Sequence, residues 1–127
     1  MLSEPSVLVV DRSGETREVL EAVLARRGMQ VLGAEGPGPA LDMTRQHRPD
    51  LVVLDMEIDL PEGPRSVPLR DQAMAEGRPV ILLGHARREA AARPGEEFLA
   101  KPYHYRALVR KIEELLGTNS QAQGRSA

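Results

Sequence analysis

The chain has 127 residues, which is enough for one domain with one hydrophobic core. Its residues are 41% hydrophobic, 28% charged and only 2% aromatic, and its net charge is −2, so neither a basic field nor a set of stacking rings favours nucleic acid. Cysteine is absent, which excludes disulfides and thiolate metal sites, and no apolar run approaches the roughly 20 residues of a membrane span.

Short apolar runs alternate with helical patterns along the chain. The opening residues, MLSEPS, lack the basic and apolar regions of a secretory signal, so we expect a cytoplasmic location. Strands are predicted over residues 7–10, 29–34, 51–55, 79–83 and 97–100. Helices are predicted over residues 14–27, 40–47, the later part of 63–77, a short segment at 89–92, and 103–116. This order predicts an α/β domain over residues 1–117 with a parallel sheet covered on both faces, then a disordered polar tail over 118–127.

Polar and charged residues stand where the predicted strands end. Strand one runs into Asp11, strand three ends on Asp55, strand four is followed by Gly84 and His85, and strand five is followed by Lys101. Because the carboxyl ends of parallel strands meet at one edge of a sheet, we expect two carboxylates and one lysine to converge there. The candidate functional site therefore lies at this edge.

Two segments of the chain resemble a known family. DLVVLD, residues 50–55, and FLAKPY, residues 98–103, are similar to the third and fifth strands of the receiver domain of two-component response regulators, and the resemblance covers about residues 5–117. It implies a flavodoxin-like (βα)5 fold, a doubly wound parallel five-stranded sheet of order 2-1-3-4-5. It also implies that Asp55 accepts a phosphoryl group, that Lys101 supplies a fixed positive charge before a cis proline, and that Phe98 is a switch aromatic. Gly63 stands where the family has a loop glycine.

The resemblance further implies a Mg²⁺ site at the same edge. In the family, an acidic pair after strand one and the acceptor aspartate hold the ion together with a backbone carbonyl, and Mg²⁺ prefers such oxygen ligands. Asp11 and Asp55 match two of these acids, but Arg12 replaces the second acid of the pair. Its guanidinium can pair with Asp11 or Asp55 without a metal. Glu57 could restore part of the negative charge, so we expect weak Mg²⁺ binding or no cofactor.

Further positions depart from the family pattern. The position after strand four that usually carries a hydroxyl is Gly84, and the next position, which is usually small, is His85. The proline of the loop after Asp55 is Pro61, two positions later than the family usually has it. The segment from Gly84 to Lys101 is also short, so the fourth helix should be short or irregular.

These departures favour a divergent receiver domain that is not an enzyme and acts as a signalling interaction module, independently of phosphorylation. Asp55 is then a strand-end acid held by basic neighbours, Phe98 a static core ring and His85 an exposed loop residue. The alternative is a phosphoryl-accepting switch, modified on Asp55 by a histidine kinase and slow to lose the phosphate because Gly84 has no hydroxyl. A third interpretation, a small-ligand-binding flavodoxin-like domain, lacks a phosphate-binding glycine motif.

We expect the output to pass through protein contact, since no output domain is recognised after residue 117. The partner is a signalling protein, with a histidine kinase as one candidate, or a second copy of the chain; nucleic acid and membrane are not expected. The surface predicted for this contact combines the short fourth helix, the fifth strand and the last helix. Its candidate contact residues are Arg87, Arg88, Arg93, Tyr103 and Arg110, because arginine and tyrosine are enriched at interface hot spots.

Overall fold

The computed structural model describes residues 4–58 and 65–117. In this part of the chain, five parallel strands form one sheet of order β2-β1-β3-β4-β5, which confirms the predicted fold class. The strands are β1 Ser6–Val10, β2 Gln30–Ala34, β3 Leu51–Asp55, β4 Val80–His85 and β5 Glu96–Lys101. The predictions made for Pro61, Gly63 and the tail over 118–127 lie outside the described residues.

Four α-helices accompany these strands in the described ranges: α1 Gly14–Ala25, α2 Pro37–His47, α3 Val67–Ala75 and α4 Tyr105–Leu116. Three-residue and six-residue 3₁₀ segments run over Met56–Ile58 and Ala86–Ala91. The fourth helix is therefore short and irregular, as expected, but it is a 3₁₀ helix that begins at Ala86, three residues before the predicted start. The shortened connection gives one 3₁₀ segment and then a turn at Gly95, whose φ of 92° few other residues adopt.

Local sequence signals explain where the helices begin and end. Ser13 caps α1, because its side-chain oxygen accepts a hydrogen bond from the N–H of Thr16 at 3.1 Å. Helix α2 begins earlier than predicted, at Pro37, because proline is well suited to the first turn of a helix. Helix α4 ends at Leu116, and Gly117 after it adopts the left-handed conformation typical of a C-cap.

The hydrophobic core lies on both faces of the sheet. Alternate residues of β1 point to opposite sides: Val7 and Val9 join a cluster with α1 and α4, whereas Leu8 and Val10 join a cluster with α2 and α3. All of β3 is buried, as expected for the central strand of a covered parallel sheet. The rigid centre of the sheet therefore presents the ends of β1 and β3 as fixed positions. No helix in the described ranges is long and apolar enough to cross a membrane.

Candidate functional site

The carboxyl edge of the sheet brings Asp55 and Lys101 into direct contact. Asp55 ends β3 and is only 7% exposed. One of its oxygens, Oδ1, accepts hydrogen bonds from Lys101 Nζ at 2.7 Å and from the N–H of Glu57 at 3.0 Å. No residue of the described ranges donates to the other oxygen, Oδ2. The lysine that the sequence places at the end of β5 thus neutralises the strand-end acid, and the Lys101–Pro102 peptide is cis, as expected from the resemblance.

Asp11 lies beside this pair, directly after β1. Its Oδ1 accepts a hydrogen bond from the N–H of Ser13 at 2.8 Å, and its main-chain carbonyl accepts one from Arg17 at 2.6 Å. Burial raises the pKa of Asp11 above its usual value, and the negative charge of Asp55 acts in the same direction, against the hydrogen bond from Ser13 and the charge of Lys101. Asp11 is therefore a partly desolvated acid held by the start of α1.

Arg17 is a site residue that the sequence analysis missed. It lies one helical turn after Ser13, and its side chain passes over Gly33 of β2, where an added Cβ would lie 3.4 Å from the arginine Cδ. The glycine in β2 thus leaves room for the arginine stem on its way to Asp11. Arg17 follows the Ser13 cap at helical spacing, and β2 contains a glycine. These two features of the sequence together could have predicted that the arginine side chain reaches the site.

Arg12 does not form the predicted ion pair. Its guanidinium donates to the carbonyl of Ile58 at 3.4 Å, and within residues 4–58 and 65–117 no ion pair links it to Asp11 or Asp55. The side chain is exposed and runs across the sheet edge to the 3₁₀ segment after β3. Arg12 therefore contacts that segment, while Lys101 alone among the described residues makes a direct charge contact with Asp55.

Glu57 turns towards β4 and away from the other acids. Its Oε2 accepts the N–H of His85 at 3.4 Å, and its Oε1 lies 3.6 Å from a guanidinium nitrogen of Arg88. A Cβ added at Gly84 would lie 3.3 Å from the same Oε2, so the glutamate carboxylate lies directly over the glycine. In the described part of the chain, no three His, Cys, Asp or Glu side chains are grouped so that they could hold a metal ion.

The remaining predicted site residues take different positions. His85 ends β4 with an exposed side chain, as the exposed-loop interpretation expects. Phe98 is half-buried in β5 and packs against the core cluster on the α2–α3 face, beside its register partner Leu82. The structure thus brings Asp11, Asp55 and Lys101 together, and it places Phe98 in the core wall below them.

Two tyrosines, Tyr103 and Tyr105, form the outer wall of the site, and sequence reasoning had assigned only Tyr103 to partner contact. A cleft of about 670 Å³ lies at this edge, and its lining includes Asp11, Asp55, Arg12, His85, Lys101, Tyr103 and Tyr105. The tyrosine rings meet edge to face, with centroids 5.9 Å apart. Burial raises the pKa of Tyr103 to about 12, and the negative charges of Tyr105, Asp11 and Asp55 add to the effect. Tyr103 is therefore a neutral, half-buried ring rather than a free surface residue.

A buried ion-pair network holds the connection between β4 and β5, and the sequence analysis missed it. Arg70 of α3 donates from Nε and from a terminal nitrogen to the two carboxylate oxygens of Glu96, at 2.9 and 2.6 Å. The same guanidinium also donates to the carbonyl of Ala91 at 3.0 Å. Arg93 joins the network through its N–H, which donates to Glu96 at 2.8 Å, and through Asp71 at 2.7 Å. Arg70 lies between the buried residues Leu69 and Ala73 on α3, a pattern that could have indicated its inward orientation.

These contacts change the predicted partner surface. Arg93 is occupied by Asp71 and Glu96, and Arg88 contacts Glu57, so neither is a free cation for a partner. Arg87 and Arg110 are exposed, and Tyr105 is 38% exposed. The accessible part of the predicted surface is therefore centred on α4 and on the first part of the 3₁₀ segment.

Comparison with known proteins gives the family. A model of the response regulator receiver domain matches residues 7–113 of the chain. The chain belongs to that family, and with it to two-component signalling.

Relatives differ in how much of their length the chain covers. It is 30% identical over 116 residues to Protein PilH of Pseudomonas aeruginosa, which covers 87% of the chain and 96% of PilH. It is 32% identical over 120 residues to the transcriptional regulatory protein PrrA of Mycobacterium tuberculosis, covering 91% of the chain and 51% of PrrA. A protein-glutamate methylesterase/protein-glutamine glutaminase of Anaeromyxobacter dehalogenans is 36% identical over 94 residues, which are 73% of the chain and 25% of that protein. The chain thus spans about half or less of the last two proteins.

Solved structures support the same fold. The receiver-modulated diguanylate cyclase of Pelobacter carbinolicus superposes with a TM-score of 0.73 at 27% identity, covering 96% of this chain and 97% of that one. A response regulator receiver protein of Sinorhizobium medicae superposes with a TM-score of 0.75 at 21% identity, covering 92% and 98%. The second likeness shows the fold alone.

Proposed function

We propose that this receiver domain signals by binding another protein, and that this binding does not require phosphorylation of Asp55. The observation that carries the proposal is the set of charges at the sheet edge. Lys101 neutralises Asp55 directly, the Glu57 carboxylate lies over Gly84, and Arg12 stands where a receiver has an acid. Asp55 is therefore neutralised by a side chain of the protein itself, without a metal ion.

The side chains at this edge do not fit Mg²⁺ well. Mg²⁺ requires oxygen ligands in a near-octahedral arrangement, with several positions filled by water. One oxygen of Asp11 is held by the N–H of Ser13, one oxygen of Asp55 is held by Lys101, and the Glu57 carboxylate faces β4. The exposed guanidinium of Arg12 adds a positive charge at the mouth of the cleft. This arrangement supports a domain that works without a bound metal.

The partner is a signalling protein that contacts the surface formed by α4, β5 and the 3₁₀ segment Ala86–Ala91. Arg87, Arg110 and Tyr105 are exposed there, and such side chains dominate many interfaces. A histidine kinase is one candidate partner, and a second copy of this chain is another. We expect no catalytic activity of its own, and we keep a cytoplasmic location as a prediction.

The test compares three versions of the chain in a pull-down from the native host, followed by affinity measurements on the captured protein. Asp55→Asn should keep the affinity within about tenfold of wild type, which corresponds to about 1.4 kcal/mol. Arg110→Glu should weaken binding well beyond that, because it reverses a charge on the proposed surface. Loss of binding in Asp55→Asn, with Arg110→Glu unchanged, would reject the proposal.

A second function has one observation in its favour. Asp55 Oδ2 accepts no hydrogen bond from the described residues, so it could attack a phosphoryl group while Lys101 holds Oδ1. The new bond would join Oδ2 to phosphorus, and the bond from phosphorus to the imidazole nitrogen of the donor histidine would break, its electron pair staying on that nitrogen. Incubation of wild type with acetyl phosphate and Mg²⁺, followed by intact-mass measurement, distinguishes the two functions. A stoichiometric adduct that is absent in Asp55→Asn would favour this switch.

A further inference from the structure

The carboxylate of Glu57, two residues after Asp55, lies at the end of β4. The register pairs Asp55 with Leu83, so Gly84 and His85 are the next residues of β4 beyond the aspartate. The Glu57 Oε2 lies over Gly84 and accepts the N–H of His85 at 3.4 Å. Lys101 of β5 is the register partner of His85 in the sheet. A main-chain N–H at the end of a strand, with a lysine at the neighbouring position, is a suitable donor set for an anion.

Several contacts hold the glutamate in this place. Its own N–H is bonded to Asp55 Oδ1 at 3.0 Å, and the guanidinium of Arg12 donates to the carbonyl of Ile58, the next residue. Its second carboxylate oxygen lies 3.6 Å from Arg88 in the 3₁₀ segment. The main chain at Glu57 is therefore held by hydrogen bonds, and its carboxylate faces a cation.

We infer that Glu57 is a built-in anion that closes this subsite of the receiver against phosphoryl groups and other tetrahedral oxyanions. An incoming anion would need the His85 N–H and the space over Gly84, both of which the glutamate carboxylate holds. It would also meet a like charge at close range, which is strongly unfavourable in a partly buried cleft. The inference deepens the proposed function, since it assigns to one side chain the insensitivity of the site to phosphoryl groups.

The absence of a side chain at Gly84 is part of the same arrangement. A Cβ at this position would lie 3.3 Å from Glu57 Oε2 and 3.4 Å from Met56 Cβ, so a larger residue would press on the glutamate. The glycine and the glutamate are therefore complementary: one leaves the space, and the other fills it with a carboxylate.

The test measures the binding of beryllofluoride, a tetrahedral phosphoryl analogue, to the full chain by amide NMR, with and without Mg²⁺. Glu57→Gln keeps the shape and removes the charge, and Glu57→Ala clears the space. Both variants should bind at least about tenfold more tightly than wild type, with the largest shift at the His85 amide. Glu89→Gln is the matched control, because it removes an exposed carboxylate from the neighbouring 3₁₀ segment, and it should bind no more tightly than wild type.

Three outcomes overturn the inference. Both Glu57 variants could bind no more tightly than wild type, the Glu89→Gln control could gain as much as they do, or the gain could leave the His85 amide unchanged. None of these outcomes bears on whether Asp55→Asn keeps its partner, which is the separate test of the proposed function.

Discussion

The buried Arg70–Glu96 pair offers the sharpest test of how this fold holds its altered β4–β5 connection. The Glu96 side chain is only 3% exposed and the Arg70 side chain 8% exposed. We predict that Glu96→Gln strongly destabilises the domain. The amide keeps the size of the carboxylate but leaves the guanidinium of Arg70 buried without a counter-charge.

The expected size of the effect follows from this burial. Breaking one side of a buried pair costs about 3–5 kcal/mol in the free energy of unfolding. The total stability of a domain is about 5–15 kcal/mol, so the loss is a large share of it. For a domain of this length, the melting temperature should fall by about 10–20 °C.

The neighbouring residue provides a matched control. Glu97 lies next in β5 and also forms an ion pair, with Lys111 Nζ at 3.2 Å, but its side chain is 42% exposed. Glu97→Gln should change the free energy of unfolding by at most about 1 kcal/mol, because exposed ion pairs contribute little. The two substitutions make the same chemical change at neighbouring positions, and the two side chains differ in burial and in the number of hydrogen bonds that they accept.

The same pair predicts a dependence on pH. The hydrogen bonds and charges of Arg70 and Arg93 lower the pKa of Glu96 below its ordinary value of 4.5, against the opposing effect of burial. The stabilisation from ionised Glu96 is therefore fully present at pH values above about 4.5, and it is lost as the pH falls through the lowered pKa. The difference in stability between wild type and Glu96→Gln should shrink in that acidic range.

Urea unfolding followed by circular dichroism measures the free energies of unfolding, and heating followed by the same signal gives the melting temperature, since the chain has no tryptophan for fluorescence. The double variant Arg70→Met/Glu96→Gln should lose less stability than the sum of its single changes, because the second change removes the charge that the first left unpaired. Equal destabilisation by Glu96→Gln and Glu97→Gln, within about 0.5 kcal/mol, would refute the reasoning from burial.

Three further predictions concern the sheet edge. Arg12→Asp should bind Mg²⁺ more tightly than wild type in calorimetry, because it replaces a cation with a carboxylate; if no Mg²⁺ binds, position 12 does not belong to a metal site. Lys101→Ala should lower the free energy of unfolding by about 1–2 kcal/mol in urea titration, since it leaves the buried Asp55 without its cation; an unchanged midpoint would contradict this. Asp11→Asn should raise the free energy of unfolding at neutral pH, because the raised pKa of Asp11 means that its ionised form is disfavoured in the fold. The gain should vanish at pH values below 3.8, the ordinary pKa of an aspartate. A constant gain at all pH values would show another cause.

The sequence by itself determined the sheet and the position of its functional edge. Apolar runs separated by helical patterns define five strands, and parallel strands must end at a common edge. Asp11, Asp55 and Lys101 follow from this argument alone, since each is fixed to a strand end by its place in the chain. The family resemblance added the strand order and the cis proline, and both are found in the structure.

Only the tertiary structure decided where the long side chains at that edge point. Arg12 could reach an acid or a carbonyl, and it reaches the carbonyl of Ile58; Glu57 could face the acids or β4, and it faces β4. The Arg70–Glu96 pair likewise joins residues far apart in the sequence. A flexible charged side chain selects among several partners at similar distances, and that choice depends on packing and desolvation in the folded molecule, which no local pattern in the sequence encodes.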